Sequence, residues 1–391
     1  MIAPKKKIKM HIGIDLSSTV EKETGKITSI GYYAYELVKG LSKVDKENEY
    51  ILFHSFLPKG KRVPCSINQD NFKSRVFKFP HRILDFCWNN LHLLPLEDLI
   101  GNINIFHSPS FTFPLSKRIK RVVTVHGLGF SKYPELFPRE EVRTLRKIRK
   151  FLPKVDRLIA VSCSIREELK EILGISPRKI NIVYHGINEI FHPIKDKEKI
   201  AEKLSQYGIS GKYIISVGKL EPAKNFGRLI DAFSEIGKLG GNLLKLVIVG
   251  APYYQYDELF QKTRKLKLDN KVIFTGYLSP DELPYLYSGA ELFLRPSLYE
   301  GCSLPLLEAM ACGLPVVTSN ISSFSEIVGD AGILVDPYDV EEIAEAVYNV
   351  LSNKESAEEM RRKGLEKAKQ FSWEKCAKET LKVYEEVLKD G

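Results

Sequence analysis

Hydrophobic and polar positions alternate along the chain in a way that predicts parallel sheets built from βαβ units. Short β-branched runs recur between longer stretches whose apolar residues follow a helical period. The first half contains seven predicted strands, at 9–16, 50–56, 74–79, 103–107, 121–126, 157–161 and 180–184. The second half contains six, at 213–217, 244–249, 272–275, 292–295, 316–318 and 333–335. Predicted helices lie between them, at 32–44, 140–152, 165–173, 226–239, 304–312 and 340–351.

A polar, lysine-rich stretch at 188–212 separates the two halves and predicts a linker with a short helix. We therefore expect an N-terminal Rossmann-like domain at 1–192 and a second, ligand-binding Rossmann-like domain at 193–372. The remaining residues, 373–391, form an amphipathic helix that we expect to pack back on the first domain. The predicted fold class is α/β, with two doubly wound domains facing across a cleft. Ligands of such sheets bind beyond the carboxyl ends of the strands.

Composition limits the class of protein. The 391 residues include 59 basic and 49 acidic ones, a formal charge of +10 that suits a solvated surface or attraction to nucleotides, acidic lipids or nucleic acid. No apolar run reaches the roughly 18 residues of a membrane span, and we expect a soluble, cytoplasmic protein. The six cysteines form no C-x-x-C pair and the eight histidines no H-x-x-x-H pair, so we expect no disulfide framework and no metal site.

The segment RPSLYEGCSLPLLEAMACGLPVVTSN, residues 295–320, places two carboxylates at one end of a predicted helix. Glu308 lies on an otherwise apolar helix, where a carboxylate is costly unless it is paired or faces a polar ligand. Glu300 lies eight residues earlier, in the loop before that helix. Both side chains can point into one pocket at the sheet's carboxyl edge. The alternative is that Glu308 is a structural carboxylate.

The segment SVGKLEPAKNFGRLIDAF, residues 216–233, predicts a phosphate site. A strand runs into Gly218, the loop carries Lys219 and Lys224, and a helix starts at Asn225. Two ammonium groups beside a helix N-terminus can neutralise a pyrophosphate without a metal. The chain has no D-x-D pair to clamp a phosphate-bound magnesium and no P-loop motif. The alternative is that both lysines simply face solvent.

Two features of the first half are further candidates. His126 ends a buried strand and can donate a hydrogen bond to a ligand, or it is structural; for His107 we favour the structural role. Gly25 and Gly31 are predicted to lie in the loop after the first strand, where a ligand can approach closely. The alternative for Gly31 is that it opens the following helix.

Together these motifs resemble the retaining glycosyltransferases of family 4, which have the GT-B fold. The resemblance covers nearly the whole chain, through VHGLGF, RLIAVSCSIREEL, IVYHGIN, VGKLEPAKNFGRLIDAF, FTGYLSPDELPYLYSGA and YEGCSLPLLEAMACGLPVV. It implies that a nucleotide diphosphate sugar binds mainly to the second domain. Glu308 would bind the ribose hydroxyls, Glu300 the sugar ring, and Lys219 and Lys224 the phosphates. His126 would touch the donor sugar, and Gly218, Gly31 and the backbone amides of Cys302, Ser303 and Leu304 would complete the donor site.

The chain also departs from the family pattern. Cys302 and Ser303 stand where Phe-Gly is usual after Glu-Gly, and Gly127 stands where Asp commonly follows the histidine. The glycine-rich loop reads Ser-Ile-Gly-Tyr-Tyr at 29–33 instead of Gly-Ile-Gly-Arg-Tyr. Lys219 replaces the usual Arg, which removes bidentate geometry.

The resemblance leads us to expect transfer of a sugar with retained anomeric configuration and without metal or cofactor. FHSPSFTFPL and YPELFP resemble members that use GDP-mannose, and UDP-glucose or a UDP-N-acetylhexosamine is the alternative donor. The acceptor would be a glycan or a lipid-linked glycan, and the positive charge suits peripheral contact with an anionic membrane, although no clear amphipathic anchor is visible. The rivals are an epimerase or phosphorylase of the same architecture, a catalytically silent homologue and a basic binding module. No run of basic and aromatic residues favours nucleic acid.

Overall fold

The computed structural model describes residues 9–17, 28–55, 67–116, 118–241 and 243–390. The chain divides into two compact units. Unit 1 comprises 1–126, 144–186 and 373–391, and unit 2 comprises 127–143 and 187–372. The predicted boundaries coincide with this division at 372/373. They differ at 186/187, where we predicted 192/193, and in the assignment of 127–143 to unit 2.

Unit 1 contains a sheet of seven parallel strands within the described residues, in the order β3-β2-β1-β4-β5-β6-β7. Its strands are β1 His11–Asp15, β2 Glu49–Ser55, β3 Phe72–Phe77, β4 Ile105–Ser108, β5 Lys120–Val125, β6 Arg157–Ala160 and β7 Ile180–Ile182. The strand order reverses direction between β1 and β4, as in a doubly wound fold.

Unit 2 contains a sheet of six parallel strands in its described part, in the order β10-β9-β8-β11-β12-β13. Its strands are β8 Tyr213–Val217, β9 Lys245–Val249, β10 Val272–Gly276, β11 Leu292–Arg295, β12 Val316–Ser319 and β13 Ile333–Val335. Successive residues of β8, Ile214 and Ile215, pack into different apolar clusters. The sheet is therefore covered on both faces, and this explains why its strands are continuous apolar runs in the sequence.

Helices connect the strands. In chain order they are α1 Ser29–Val44, α2 His81–Phe86, α3 Leu96–Ile100, α4 Gly129–Lys132, α5 Arg139–Phe151, α6 Cys163–Leu173, α7 Lys197–Ser205, α8 Phe226–Lys238, α9 Asp257–Lys265, α10 Leu283–Gly289, α11 Leu304–Ala311, α12 Phe324–Val328, α13 Val340–Ser352, α14 Lys354–Ala368 and α15 Trp373–Lys389. No helix in the described ranges is both long and apolar enough to cross a membrane.

The final helix, α15, packs against α1 within unit 1. A side chain at Gly40 of α1 would come within 2.6 Å of the Trp373 carbonyl oxygen, so the glycine permits the close approach of the two helices. The fold class predicted from the sequence, two doubly wound Rossmann-like domains, is confirmed. The predicted linker helix is α7, and α2 with the π-helical turn Cys87–Leu91 is an addition that the pattern did not predict.

Candidate functional site

The candidate site of unit 2 lies where the strand order of its sheet reverses. β8 and β11 are neighbours at the centre of the sheet, but the chain reaches β9 and β10 before it returns to β11. The connections that leave β8 and β11 therefore run in opposite directions, and a crevice opens at their carboxyl ends. The loop after β8 carries Lys219 and Lys224, and the loop after β11 carries Glu300.

A buried cluster of charged side chains joins these two loops. Lys224 Nζ lies 3.1 Å from Glu300 Oε1 and 3.1 Å from Glu221 Oε1. Burial alone would lower the pKa of Lys224, but the two carboxylates outweigh it and hold that pKa above its ordinary value. Likewise, burial would raise the pKa of Glu300, and Lys224 and Arg295 hold it below the usual value. Both groups are therefore ionised at neutral pH.

Arg295, at the end of β11, is a site residue that sequence reasoning did not select. Its Nε donates to Glu300 Oε1 at 3.1 Å, and its Nη2 donates to the same oxygen. Among the described residues Nη1 has no hydrogen-bond partner, although the side chain is only 3% exposed. An arginine inside an apolar strand is itself unusual, and that signal was available in the sequence LFLR.

Gly218 makes room for this arginine. A Cβ at position 218 would lie 2.8 Å from Arg295 Nη1 and 2.9 Å from Nη2. Any larger residue would displace the guanidinium group and with it the contact to Glu300. The glycine that ends the β8 motif thus acts on the site through Arg295.

Hydrogen bonds to the backbone fix the loop that carries Glu300. The amide of Glu300 donates to Ser322 Oγ at 3.2 Å, and the Ser322 and Ser323 hydroxyls donate to its carbonyl oxygen at 2.5 and 3.1 Å. Ser322 adopts a left-handed conformation, φ 59°, to make these contacts. The loop after β8 is attached to the same region, because Asn225 Nδ2 donates to the Pro296 carbonyl oxygen at 2.8 Å.

Glu308 is the second carboxyl of the site and lies inside α11, 7% exposed. The Tyr287 hydroxyl of α10 donates to its Oε2 at 3.1 Å. Burial raises the pKa of Glu308 to about 7, and the tyrosine hydrogen bond and the nearby Arg295 oppose the rise only in part. A polar ligand that donates hydrogen bonds would favour the ionised form.

Lys219 directs its ammonium group over the ring of Tyr253, 4.6 Å from the centroid. The Tyr253 hydroxyl in turn donates to Glu141 Oε1 at 2.5 Å. Lys219 thus contacts an aromatic ring, whereas the ammonium group of Lys224 contacts two carboxylates. The charge of Lys219 is held at an aromatic surface that leads from the end of β8.

The start of α11 contributes the residues predicted to bind through their backbone. Cys302 is partly buried, Ser303 is fully buried, and Leu304 is the first residue of the helix. The Ser303 hydroxyl occupies the N-cap position, yet it makes no capping hydrogen bond and has no partner among the described residues. A buried hydroxyl without a partner is costly and suits a polar ligand at this helix end.

His126 belongs to unit 1, at the end of β5. Its Nε2 lies 2.8 Å from the Pro109 carbonyl oxygen and therefore carries the proton. Burial lowers the pKa of His126 to about 4. The ring packs against Tyr33, centroids 4.7 Å apart, and His185, 5.3 Å apart. His126 is thus neutral at physiological pH.

His107 has the surroundings of a structural histidine. It is fully buried, with Nδ1 2.6 Å from the Tyr384 hydroxyl and Nε2 2.7 Å from Thr124 Oγ1.

Of the two alternatives for Gly31, the structure supports the second, since Gly31 lies in the first turn of a helix and not in a loop. It is the third residue of α1, and its amide donates to the Thr28 hydroxyl, the N-cap, at 2.8 Å. Thr28 caps the helix and starts it before position 31, so the loop ends before Gly31. Gly25 lies outside the described residues.

Unit 2 therefore brings together Gly218, Lys224, Glu300 and, one helix turn further, Glu308. The ligand roles assigned to these residues, and to His126 and Gly31 of unit 1, stay predictions. Tyr287, like Arg295, was missed, because it comes to the site from a different helix and no local pattern marks it. No group of three His, Cys, Asp or Glu side chains suited to a metal ion occurs in the described ranges.

Two family models match the chain. The model described as Glycosyltransferase Family 4 matches residues 30–190, and the model described as Glycosyl transferases group 1 matches residues 185–367. Together they cover residues 30–367, which include every strand of the two sheets except β1, and the second includes the charged cluster and Glu308.

Among characterised relatives, the O-antigen chain mannosyltransferase B of Escherichia coli is 31% identical over 371 residues, which is 92% of this chain and 96% of that protein. Among solved structures, the sucrose-phosphate synthase of Thermosynechococcus elongatus has a TM-score of 0.77 at 19% identity, covering 98% of this chain and all of that one. Anabaena HepE, solved with UDP and glucose, has a TM-score of 0.71 at 18% identity and covers 96% and 99%. At these identities the structural likeness shows the fold.

Proposed function

Because this chain belongs to glycosyltransferase family 4, a family of enzymes that act on nucleotide sugars, we propose that it transfers mannose from GDP-mannose to a glycan or lipid-linked acceptor, with retention of the anomeric configuration. Its full-length relative, the mannosyltransferase of E. coli, supports mannose as the sugar. UDP-glucose or a UDP-N-acetylhexosamine is the alternative donor, and the structural neighbour solved with UDP and glucose is the reason to test it.

The observation that carries the proposal is the pair of buried carboxyls that follow β11, Glu300 in the loop and Glu308 in α11. Both carboxyls are buried and both are influenced by Arg295, but their surroundings differ. Glu300 is held ionised by two cations, whereas Glu308 has one hydrogen-bond donor among the described residues, the Tyr287 hydroxyl, and a raised pKa. A ribose diol offers two hydroxyl donors and would compensate the cost of ionising Glu308.

Glu300 is placed to bind the sugar. Its three contacts with cationic nitrogens, from Lys224 Nζ and from Arg295 Nε and Nη2, all use Oε1. Oε2 remains for a sugar hydroxyl. Two further polar groups have no hydrogen-bond partner among the described residues, Arg295 Nη1 at the end of β11 and the Ser303 hydroxyl at the start of α11, and both suit the oxygens of a sugar or a phosphate.

The transfer itself would proceed by attack of the acceptor hydroxyl on the anomeric carbon. The bond from the anomeric carbon to the β-phosphate oxygen breaks, and the bond to the acceptor oxygen forms. Retention follows if the acceptor attacks the same face of the sugar from which GDP leaves. The acceptor proton then passes to a β-phosphate oxygen, and the products are the glycoside and GDP. Lys224, Lys219 and the N-terminus of α8 would stabilise the developing phosphate charge. This arrangement supplies positive charge from the chain itself, so we propose that no metal or other cofactor takes part.

The experiment is a thermal-shift and calorimetric screen of GDP, UDP, ADP and dTDP with their common sugar conjugates, in EDTA. We expect GDP-mannose to stabilise the chain selectively. The variant Glu308→Gln should lose most of this affinity, while Glu235→Gln, a change at a partly exposed carboxylate of α8 that pairs with Lys238, should keep it. Stabilisation by a uridine nucleotide alone would show that the donor is a uridine diphosphate sugar and not GDP-mannose. Stabilisation by none of the nucleotides would reject the proposed site.

A further inference from the structure

Unit 1 carries an unusual concentration of exposed apolar side chains. Of the fourteen large hydrophobic residues that are well exposed in the described part of the chain, six lie within residues 79–94, with exposed fractions between 40% and 55%. We call them the apolar surface: Phe79, Ile83, Phe86, Leu91, Leu93 and Leu94. Single exposed apolar residues are normal, but a contiguous group of them marks an interaction site.

The local backbone holds this surface in place. α2 continues into the π-helical turn Cys87–Leu91, and its inner face buries Leu84 and Trp88 against Phe53. The opposite face, with Ile83 and Phe86, is therefore directed to the outside.

The turn that follows is anchored to the core as well. Trp88 Nε1 donates to the Leu94 carbonyl oxygen at 2.8 Å, and the Leu93 amide donates to the Cys87 carbonyl oxygen at 3.1 Å. Leu94 has φ 57° and His92 φ 53°, conformations that such residues seldom adopt. The exposed leucines are thus presented by a bonded turn.

Basic residues flank the apolar surface. Lys73, Arg75 and Lys78, in and after β3, are all exposed. Residues 144–154 contain five basic and no acidic residues. This segment is joined to α2 by Lys147, whose Nζ lies 2.5 Å from Asp85 Oδ1. Asp85 is the one acidic residue between 73 and 94 in the sequence, and this contact neutralises it.

We infer that the apolar surface docks on an anionic lipid bilayer. Its aliphatic and aromatic side chains would enter the interface, and the flanking lysines and arginines would contact lipid phosphates. The charge argues against a second copy of this chain as the occupant. If two such surfaces met, the basic residues that flank each of them would repel one another. Four of the six side chains are aliphatic and offer no face for base stacking, which argues against nucleic acid. The inference rests on the proposed function only for its purpose, access to a lipid-linked acceptor.

The test is flotation of the full chain with vesicles of phosphatidylcholine, alone or mixed with phosphatidylglycerol. We expect at least tenfold tighter binding to the mixed vesicles, and loss of binding as salt rises. The double variant Phe86→Ser/Leu93→Ser should lose binding at least tenfold. The matched control Leu239→Ser/Leu243→Ser removes two exposed leucines of unit 2 and should bind like the parent.

A second variant tests the charge. Lys73→Gln/Lys78→Gln should weaken binding to mixed vesicles, by about fivefold for each lysine removed, because each basic residue near an anionic surface contributes about that factor. Lys212→Gln/Lys238→Gln, two exposed lysines of unit 2, is the control and should leave binding unchanged.

Equal binding of parent and Phe86→Ser/Leu93→Ser, or equal binding to both kinds of vesicle, would overturn the inference. So would a parent dimer that the double variant dissociates, because the surface would then be an interface between copies. Donor binding, measured by thermal shift, separates failure of this inference from failure of the proposed function. Donor binding should persist in every variant of the apolar surface. A parent that floats with vesicles but binds no donor would contradict the proposed function and leave the inference on membrane docking in place.

Discussion

The raised pKa of Glu308 predicts that donor affinity depends on pH. With a pKa of about 7, Glu308 is about one-tenth ionised at pH 6 and about nine-tenths ionised at pH 8. If the carboxylate accepts the ribose hydroxyls, only the ionised fraction binds well. Affinity for GDP-mannose should therefore rise about tenfold from pH 6 to pH 8, equivalent to about 1.4 kcal/mol.

Two histidines, His107 and His126, do not titrate in this window. Burial keeps the pKa of His107 at about 3 and that of His126 at about 4, so both stay neutral above pH 6. The diphosphate of GDP-mannose is esterified at both ends and has no group that titrates near neutrality. GDP itself, with a terminal phosphate that does titrate, is unsuitable for this experiment.

The assay is titration calorimetry at pH 6, 7 and 8, each in two buffers with different ionisation enthalpies. At pH 7 we expect release of about half a proton per donor bound, because binding converts the protonated half of Glu308 to carboxylate. Glu308→Gln should bind weakly and show no pH dependence. Tyr287→Phe removes a hydrogen bond that lowers the pKa of Glu308, and should move the midpoint to higher pH. An affinity that is constant from pH 6 to pH 8, without proton release, would refute the assignment of Glu308 to the ribose.

Three further predictions concern charge, packing and acid stability. Lys224→Met should lower the rate of transfer roughly 100-fold or more, since it removes a preorganised charge. The control Lys238→Met, on the exposed end of α8, should leave the rate unchanged. Equal rates for Lys224→Met and the parent would place the phosphate site elsewhere. Gly218→Ala should lower the melting temperature, because its Cβ would meet Arg295 Nη1 at 2.8 Å. The control is Gly227→Ala in α8, where the Cβ would meet only Lys262 Nζ at 3.8 Å. That change should be neutral or stabilising, because alanine favours a helix more than glycine does. Burial holds the folded pKa of His185 well below its ordinary value, so the unfolded chain binds a proton that the folded one does not, and stability is lost as pH falls below about 6.5. Relative to the parent, the free energy of unfolding of His185→Phe should therefore rise by about 2 kcal/mol as the pH falls from 7.5 to 5. The measurement is urea unfolding followed through Trp88 and Trp373, the two tryptophans of the chain, both in unit 1. A difference between the two proteins that stays constant with pH would contradict this prediction.

The sheets could be read from the sequence because parallel strands covered on both faces are continuous apolar runs. β8, β11 and β13 begin and end at the predicted residues. α1 and α6 start before the predicted residues, because Thr28 and Ser162 cap them.

The sequence revealed site residues only where a charged side chain stands in a segment whose pattern does not by itself explain the charge. Glu308 could be found because a carboxyl on an apolar helix needs a reason, and the two lysines because they precede a helix. Arg295 and Gly218 depend on each other although they lie 77 positions apart in the sequence, and no local pattern records that contact. The apolar surface was also missed, since α2 and the π-helical turn are short and follow no helical period that a pattern search could detect.

The measurement that tests the central claim most directly is NMR of the reaction with GDP-α-mannose, with a short mannose oligosaccharide as acceptor and EDTA present. The account predicts that the first product formed carries an α-linked mannose, that GDP appears in equal amount, and that Lys224→Met suppresses both. A β-linked first product would contradict retention. Absence of transfer from GDP-mannose, with transfer from a uridine diphosphate sugar in its place, would contradict the donor.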